Sequence, residues 1–168
     1  LLAKLGMDAT GIENNRIGVQ IAQSKKLNVM QGFVSEEAIL KNVKPFDAFF
    51  SFNVLEHWPE FRVIMKAINA CLCKEGGGIV EVPNFDMIWE KKLFTEFISD
   101  HIYYFSKETL KNALSINGFK VLDIKPVWNN YILSATVKRR EKLPIESFLH
   151  EKKMLIHEFK SFFNKNIN

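Results

Sequence analysis

The sequence predicts an α/β fold: a doubly wound sheet, mostly parallel, with an antiparallel pair at one edge. Three observations carry the prediction. Short apolar runs alternate with amphipathic stretches from Leu1 to Gly118. The run Phe46-Asp47-Ala48-Phe49-Phe50 is almost continuously apolar, which suits a strand covered on both faces. Two further apolar segments, 119–124 and 131–137, are separated only by a short break with Pro126, which suits adjacent antiparallel strands.

The chain opens on Leu1-Leu2-Ala3-Lys4-Leu5-Gly6, helix-like spacing with a glycine stop, no starting methionine and no strand before it. It reads as the second half of a βαβ unit, so the expectation is a domain truncated at its N-terminus. Residues 8–13 form a short strand ending on Glu13, after which Asn14 opens a helix with Ile17, Val19, Ile21 and Ala22 on its apolar side. Residues 28–34 form a second strand. Ser35, Glu36 and Glu37 read as a cap and acidic first turn for a helix over 36–42.

The strand beginning at Phe46 runs into the polar turn Ser51-Phe52-Asn53, then Glu56-His57-Trp58-Pro59, with Pro59 where a helix starts. Ligands of open α/β sheets sit at such strand ends, so Asn53, Glu56 and His57 are site candidates. An amphipathic helix is predicted over 59–74, stopped by Glu75-Gly76-Gly77-Gly78, and a strand over 78–84 ending in Pro83-Asn84. The aromatic-rich stretch 85–99 lacks clear periodicity and reads as a cover over the site. Ser106 caps a helix that ends at Asn117-Gly118. A long polar helix over 144–166 carries more apolar residues than a lone surface helix needs, which reads as a linker or partner face, for a homodimer or a further domain.

Composition sets the limits. At 168 residues, 47% hydrophobic and 25% charged, the chain has the make-up of one globular domain. The net charge of +4 comes from 23 Lys and Arg scattered among 19 acidic residues, without the clustered stripe a nucleic-acid partner requires. No apolar run approaches the roughly 18 residues of a membrane span, and no secretory leader is visible. A cytoplasmic protein with no nucleic-acid or membrane partner is expected. Cys71 and Cys73 fall inside the helical pattern, pointing apart, as two structural thiols. The four histidines, His57, His101, His150 and His157, lie far apart in sequence without ligand spacing, so no metal site is expected.

Several features, taken in order, resemble the class I S-adenosylmethionine-dependent methyltransferases. They are Gly11-Ile12-Glu13, Phe46-Asp47 leading to Val54-Leu55-Glu56-His57, Gly76-Gly77-Gly78 before a strand, Asp100-His101 with Phe105-Ser106, and Asn117-Gly118-Phe119. The resemblance covers roughly residues 1–138 and implies a Rossmann-like catalytic domain over 1–140, followed by a helical extension over 141–168. Within the superfamily, Asp-His-x-x-Tyr-Phe-Ser resembles the Glu-His-x-x-Tyr-Phe-Ser element of sugar C-methyltransferases, with Asp100 in place of their Glu. The family's glycine-rich loop has no counterpart in this sequence, and the resemblance places it upstream of Leu1.

The resemblance implies S-adenosyl-L-methionine as cofactor and a small-molecule acceptor, a sugar or sugar nucleotide being favoured. A sulfonium methyl donor is already reactive, so the chemistry needs only alignment and removal of an acceptor proton. Glu13 ends its strand where a carboxylate can accept both hydrogen bonds of a ribose diol; it equally suits a first-turn acid held by the helix dipole. Asn14 adjoins it. Gly32 and Phe33 are positioned to flank adenine, and Asn53 to contact the cofactor. His101 is the favoured general base, with Asp100 or another carboxylate holding its tautomer. His57 is the second candidate, alternatively a helix cap. Glu56 reads as a first-turn acid or an orienting partner. Asn84, Asp100 and Tyr104 face the acceptor.

Three other readings stand beside this one: methylation of another small metabolite; a non-catalytic cofactor- or protein-binding module on a degenerate fold; and a nicotinamide-dependent oxidoreductase, for which Glu13 also suits the ribose. The residues after the Phe46 strand and the Phe105-Ser106 and Gly118-Phe119 pattern argue against the last.

Overall fold

The computed structural model describes residues 2–34 and 45–140. In chain order its elements are β1 (Gly11–Glu13), α1 (Arg16–Ser24), β2 (Val29–Gln31), β3 (Phe46–Phe52), α2 (Phe61–Cys71), β4 (Leu72–Pro83), α3 (Phe85–Glu90), α4 (Lys107–Ile116), β5 (Phe119–Val127) and β6 (Ile132–Arg139). Single 3-10 turns occupy Ala3–Leu5, Leu55–His57 and Phe94–Glu96. The helices expected over 36–42 and 144–166 lie outside the described residues.

The strands form two hydrogen-bonded groups. β1 and β2 pair in parallel, Gly11 opposite Val29 through Glu13 opposite Gln31. The larger sheet has the order β3-β4-β6-β5, with β3 parallel to β4 and β6 antiparallel to both its neighbours. This is the mixed sheet with an antiparallel edge that the sequence predicts. Ile12 and Val34 rest on the core of the larger sheet. No helix among the described residues is long and apolar enough to cross a membrane.

Local chemistry explains the helix ends. Asn15, not Asn14, caps α1: its Oδ1 accepts from the Ile17 and Gly18 N–H groups at 2.8 and 3.3 Å. In α4 the Ser106 Oγ accepts from the Thr109 N–H at 3.1 Å while Thr109 Oγ1 accepts from the Ser106 N–H at 2.8 Å, a reciprocal box. Between α2, α4 and the larger sheet lies the core, with Leu55, Met65, Val80, Leu110, Leu114 and Phe119 among its fully buried members. Each large apolar side chain buried there contributes about 1.5–3 kcal/mol.

Two expectations are corrected. β3 is not covered on both faces: Phe49 and Ser51 are buried, whereas Phe50 and Phe52, on the opposite side of the pleat, are exposed among the described residues. The glycine run does not stop a helix. α2 ends at Cys71, and Gly76, Gly77 and Gly78 lie inside β4. The cause is crowding. A Cβ on Gly77 would sit 2.4 Å from the Val137 carbonyl oxygen, and one on Gly78 would sit 2.3 Å from the Phe49 ring. The two thiols are therefore divided, Cys71 buried at the end of α2 and Cys73 in β4.

Candidate active site

β3 delivers the chain to the site. After Phe52 the backbone turns through Asn53 at φ 51°, a left-handed conformation that Asn tolerates better than most residues. The Asn53 N–H still donates to the Glu81 carbonyl at 2.9 Å, which ties the turn to β4 and leaves its side chain exposed. The 3-10 turn Leu55–His57 follows, anchored by the fully buried Leu55. That anchor drags its neighbour inward. Glu56 is only 1% exposed, an acid of this first turn that is buried rather than solvated.

A second segment folds over this turn. The Ile102 and Tyr103 N–H groups both donate to the Glu56 carbonyl, at 2.8 and 3.2 Å. His57 Nδ1 lies 2.9 Å from the Asp100 main-chain carbonyl. A carbonyl can only accept, so Nδ1 carries the proton and Nε2 keeps its lone pair when the ring is neutral. Nε2 lies 3.8 Å from Glu56 Oε1, and the Asp100 carboxylate lies 3.6 Å from Nδ1. The His101 ring stands edge-on to the His57 ring with centroids 4.7 Å apart.

Two expectations change here. Asp100 holds the ring of His57 rather than that of His101. The histidines assumed to be far apart include two in contact, which removes the ground on which a metal site was set aside. Burial pushes the Glu56 carboxyl above its ordinary value, opposed in part by a backbone hydrogen bond and by His57 and His101. Its Oε2 is buried with no hydrogen-bond partner among the described residues. The sequence carries one hint of this buried acid: Glu56 directly follows the apolar pair Val54-Leu55 at a strand end.

Aromatic rings from the stretch 85–99 pack beside His101 through Tyr104. Tyr104 packs against Phe97 at 5.0 Å and Phe85 at 6.1 Å, and its edge meets His101 at 5.9 Å. The Tyr104 hydroxyl donates to the Ile98 carbonyl at 3.3 Å and accepts from the Ile98 N–H at 3.1 Å, closing the 98–104 loop. The Tyr131 hydroxyl donates to the Glu96 carboxylate, fastening the cover to the start of β6, and that contact pushes its phenol up to about 12. Asn84, at the end of β4, is buried and engaged: its Oδ1 accepts from the Asp86 N–H at 3.2 Å and its Nδ2 donates to the Asn130 carbonyl at 2.8 Å.

The other candidates gather at the ends of β1 and β2. Glu13 Oε1 accepts from the Asn15 N–H at 2.7 Å, and its second oxygen accepts nothing from a described residue. Asn14 is exposed beside it. The Gly32 N–H donates to the Glu13 carbonyl at 3.0 Å, and Gly32 adopts φ +154° with open space where a side chain would stand. Phe33 is 71% exposed, so core packing does not account for it among the described residues.

A family model described as a methyltransferase domain matches residues 1–124. The chain belongs to the methyltransferase-domain family. No curated protein sequence matches this methyltransferase-domain chain significantly. Solved structures resemble it in fold. A SAM-dependent methyltransferase from Archaeoglobus fulgidus superposes with a TM-score of 0.65 at 16% identity, over 82% of this chain and 79% of that one. The 1,6-didemethyltoxoflavin-N1-methyltransferase of Burkholderia thailandensis, with 1,6-didemethyltoxoflavin and S-adenosylhomocysteine bound, gives 0.62 at 17% identity, over 83% and 64%. The magnesium protoporphyrin IX methyltransferase of Synechocystis PCC 6803, with S-adenosylhomocysteine bound, gives 0.62 at 16% identity, over 82% and 67%. The fold of this methyltransferase domain is thus the Rossmann-like fold of S-adenosylmethionine-dependent methyltransferases.

Proposed function

We propose that this protein transfers the methyl group of S-adenosylmethionine to a small-molecule acceptor, a sugar or sugar nucleotide being the favoured class. The single observation that supports it most is the tethering of His57 and His101, 44 residues apart by number, onto one another at the end of β3 in a chain of this family. Glu13 takes the ribose hydroxyls through its unengaged oxygen, beside Asn14. Gly32 leaves room for the adenine and Phe33 covers its face. Asn53 contacts the donor where the chain leaves β3. Asn84, Asp100 and Tyr104 bound the acceptor side.

The base is assigned to His101, whose ring nitrogens carry no hydrogen bond from a described residue. An acceptor hydroxyl gives its proton to His101 as its oxygen forms a bond to the methyl carbon; the carbon–sulfur bond breaks, and neutral S-adenosylhomocysteine leaves. His57, fixed by the Asp100 carbonyl, holds the His101 ring by edge contact.

A second acceptor class is favoured by a specific feature. The rings of Phe85, Phe97 and Tyr104 form a wall beside His101 that suits a planar metabolite as well as a sugar.

The test is calorimetric titration of S-adenosylhomocysteine into the full-length protein. Saturable binding that Glu13→Ala weakens tenfold or more is the expected result; absence of binding sinks the assignment. For the base, His101→Ala is expected to bind cofactor normally and to lose turnover, and full turnover by that variant removes His101 from the role.

A further inference from the structure

We infer that Glu56, His57 and His101 form a binding site for a first-row divalent cation of the zinc class. The site rests on the proposed function only for its purpose, since a cation at this position would activate the acceptor's hydroxyl and take over the task assigned to His101.

Three independent features point to a cation. One ligand atom from each residue can be chosen so that all lie within 4.8 Å of one another. First-row ions bind nitrogen and oxygen at about 2.0–2.2 Å, which sets neighbouring ligand atoms roughly 3–3.5 Å apart. Modest side-chain rotation closes the difference, beginning from the 3.8 Å between His57 Nε2 and Glu56 Oε1.

The second feature is the outer hydrogen bond. A metal-ligating histidine ordinarily donates its other ring N–H to a carbonyl or carboxylate, which fixes the tautomer and aims the free nitrogen. His57 is held in this way by the Asp100 carbonyl at 2.9 Å, with the Asp100 carboxylate nearby at 3.6 Å. The nitrogen left with the lone pair is the one that faces Glu56.

The third is the orphaned carboxylate oxygen. The Glu56 side chain is 2% exposed and its Oε2 has no hydrogen-bond partner among the described residues, although buried polar atoms are almost always paired. A cation shared with two imidazoles would satisfy it. Two nitrogens and one carboxylate suit zinc and its first-row neighbours, whereas magnesium and calcium prefer an all-oxygen shell. Three protein ligands also leave coordination positions open on the side where the two histidines, half-buried, reach solvent.

The experiment is a calorimetric titration of the full-length protein, stripped with chelator, with zinc chloride, repeated with cobalt(II) to read its visible absorption. One equivalent is expected to bind. Glu56→Gln, His57→Ala and His101→Ala are each expected to weaken it about 10- to 100-fold, while His150→Ala and His157→Ala leave it unchanged. Circular dichroism is to be recorded on each variant to check that it is folded, and Glu56→Gln keeps shape and volume, so it reports on ligation. Absence of a stoichiometric site, or binding unaffected by all three cluster variants, overturns the inference. The cofactor titration of the same protein separates the two readings. Zinc bound at the cluster without S-adenosylhomocysteine binding supports the metal site and sinks the methyltransferase assignment. Cofactor binding with no zinc site does the reverse.

Discussion

His57 donates its Nδ1 proton to the main-chain carbonyl of Asp100, 2.9 Å away across 43 residues of sequence. With the Ile102 and Tyr103 N–H groups on the Glu56 carbonyl, this bond joins the turn after β3 to the loop that carries His101. One segment is a single 3-10 turn and the other is irregular, so these bonds fix their relative position. Replacing His57 with alanine is expected to cost about 1 kcal/mol, the net worth of one such hydrogen bond. The sharper readout is amide hydrogen exchange. The Ile102 and Tyr103 amides are expected to exchange faster in the variant while those of β4 and β6 do not change; equal exchange at Ile102 means that the ring does not hold the loop.

Glu56 sits where a carboxylate is costly. Burial raises its pKa above the ordinary 4.5, so between that value and the folded-state value the folded protein holds a proton that the unfolded chain has released. Stability therefore falls as pH rises through that interval. Glu56→Gln in the presence of chelator is expected to stabilise the protein at neutral pH by about 1–2 kcal/mol, and the gain is expected to shrink as pH falls through that interval and to be lost by 4.5. Thermal unfolding at a series of pH values measures it. A gain independent of pH places the cause elsewhere than the carboxyl's ionisation.

Much of this architecture is legible in the sequence because its signals are local. Alternating apolar periods place the strands, Ser106 and Thr109 announce the start of α4, and residues 119–137 give away the antiparallel edge. The site is legible only in part. The ends of β1 and β3 mark Glu13, Asn53 and His57, since strand termini are where a parallel sheet presents ligands. What does not show is the contact between His57 and His101, which depends on hydrogen bonds between a single 3-10 turn and an irregular loop. Nor does the burial of Glu56, which follows from the anchoring of Leu55 beside it. The glycine run misleads because glycine ends helices and also lets strands and rings approach closely; only the tertiary neighbours Phe49 and Val137 distinguish the two.

Gly78 tests that last point. A methyl group there would stand 2.3 Å from the Phe49 ring, itself packed on Phe119 with centroids 5.6 Å apart. Neither ring can withdraw without opening the core. Gly78→Ala is expected to destabilise the protein by about 1–3 kcal/mol, the usual range for an overpacked interior. Denaturant unfolding measures it, and Phe49→Leu added to Gly78→Ala is expected to recover part of the loss. Additive losses in the double variant would show that the ring is not the obstacle.

Tyr131 offers an alkaline reporter of the cover. Its hydroxyl donates to Glu96, and losing that proton would set a phenolate against a carboxylate, so its pKa rises from 10.0 to about 12. The folded protein then retains a proton that the unfolded chain has lost, so the contribution to stability is full below pH 10 and disappears as pH climbs toward 12. The chain has three tyrosines, so ultraviolet titration of the folded protein can isolate one late-ionising ring. Tyr131→Phe is expected to remove that late phase and to flatten the fall in stability over the same interval. Glu96→Gln is expected to move the late phase earlier without removing it, because the hydroxyl keeps an acceptor but loses the charge that opposes its ionisation. If Tyr131→Phe leaves the late phase intact, the Glu96 contact does not fasten the cover to β6.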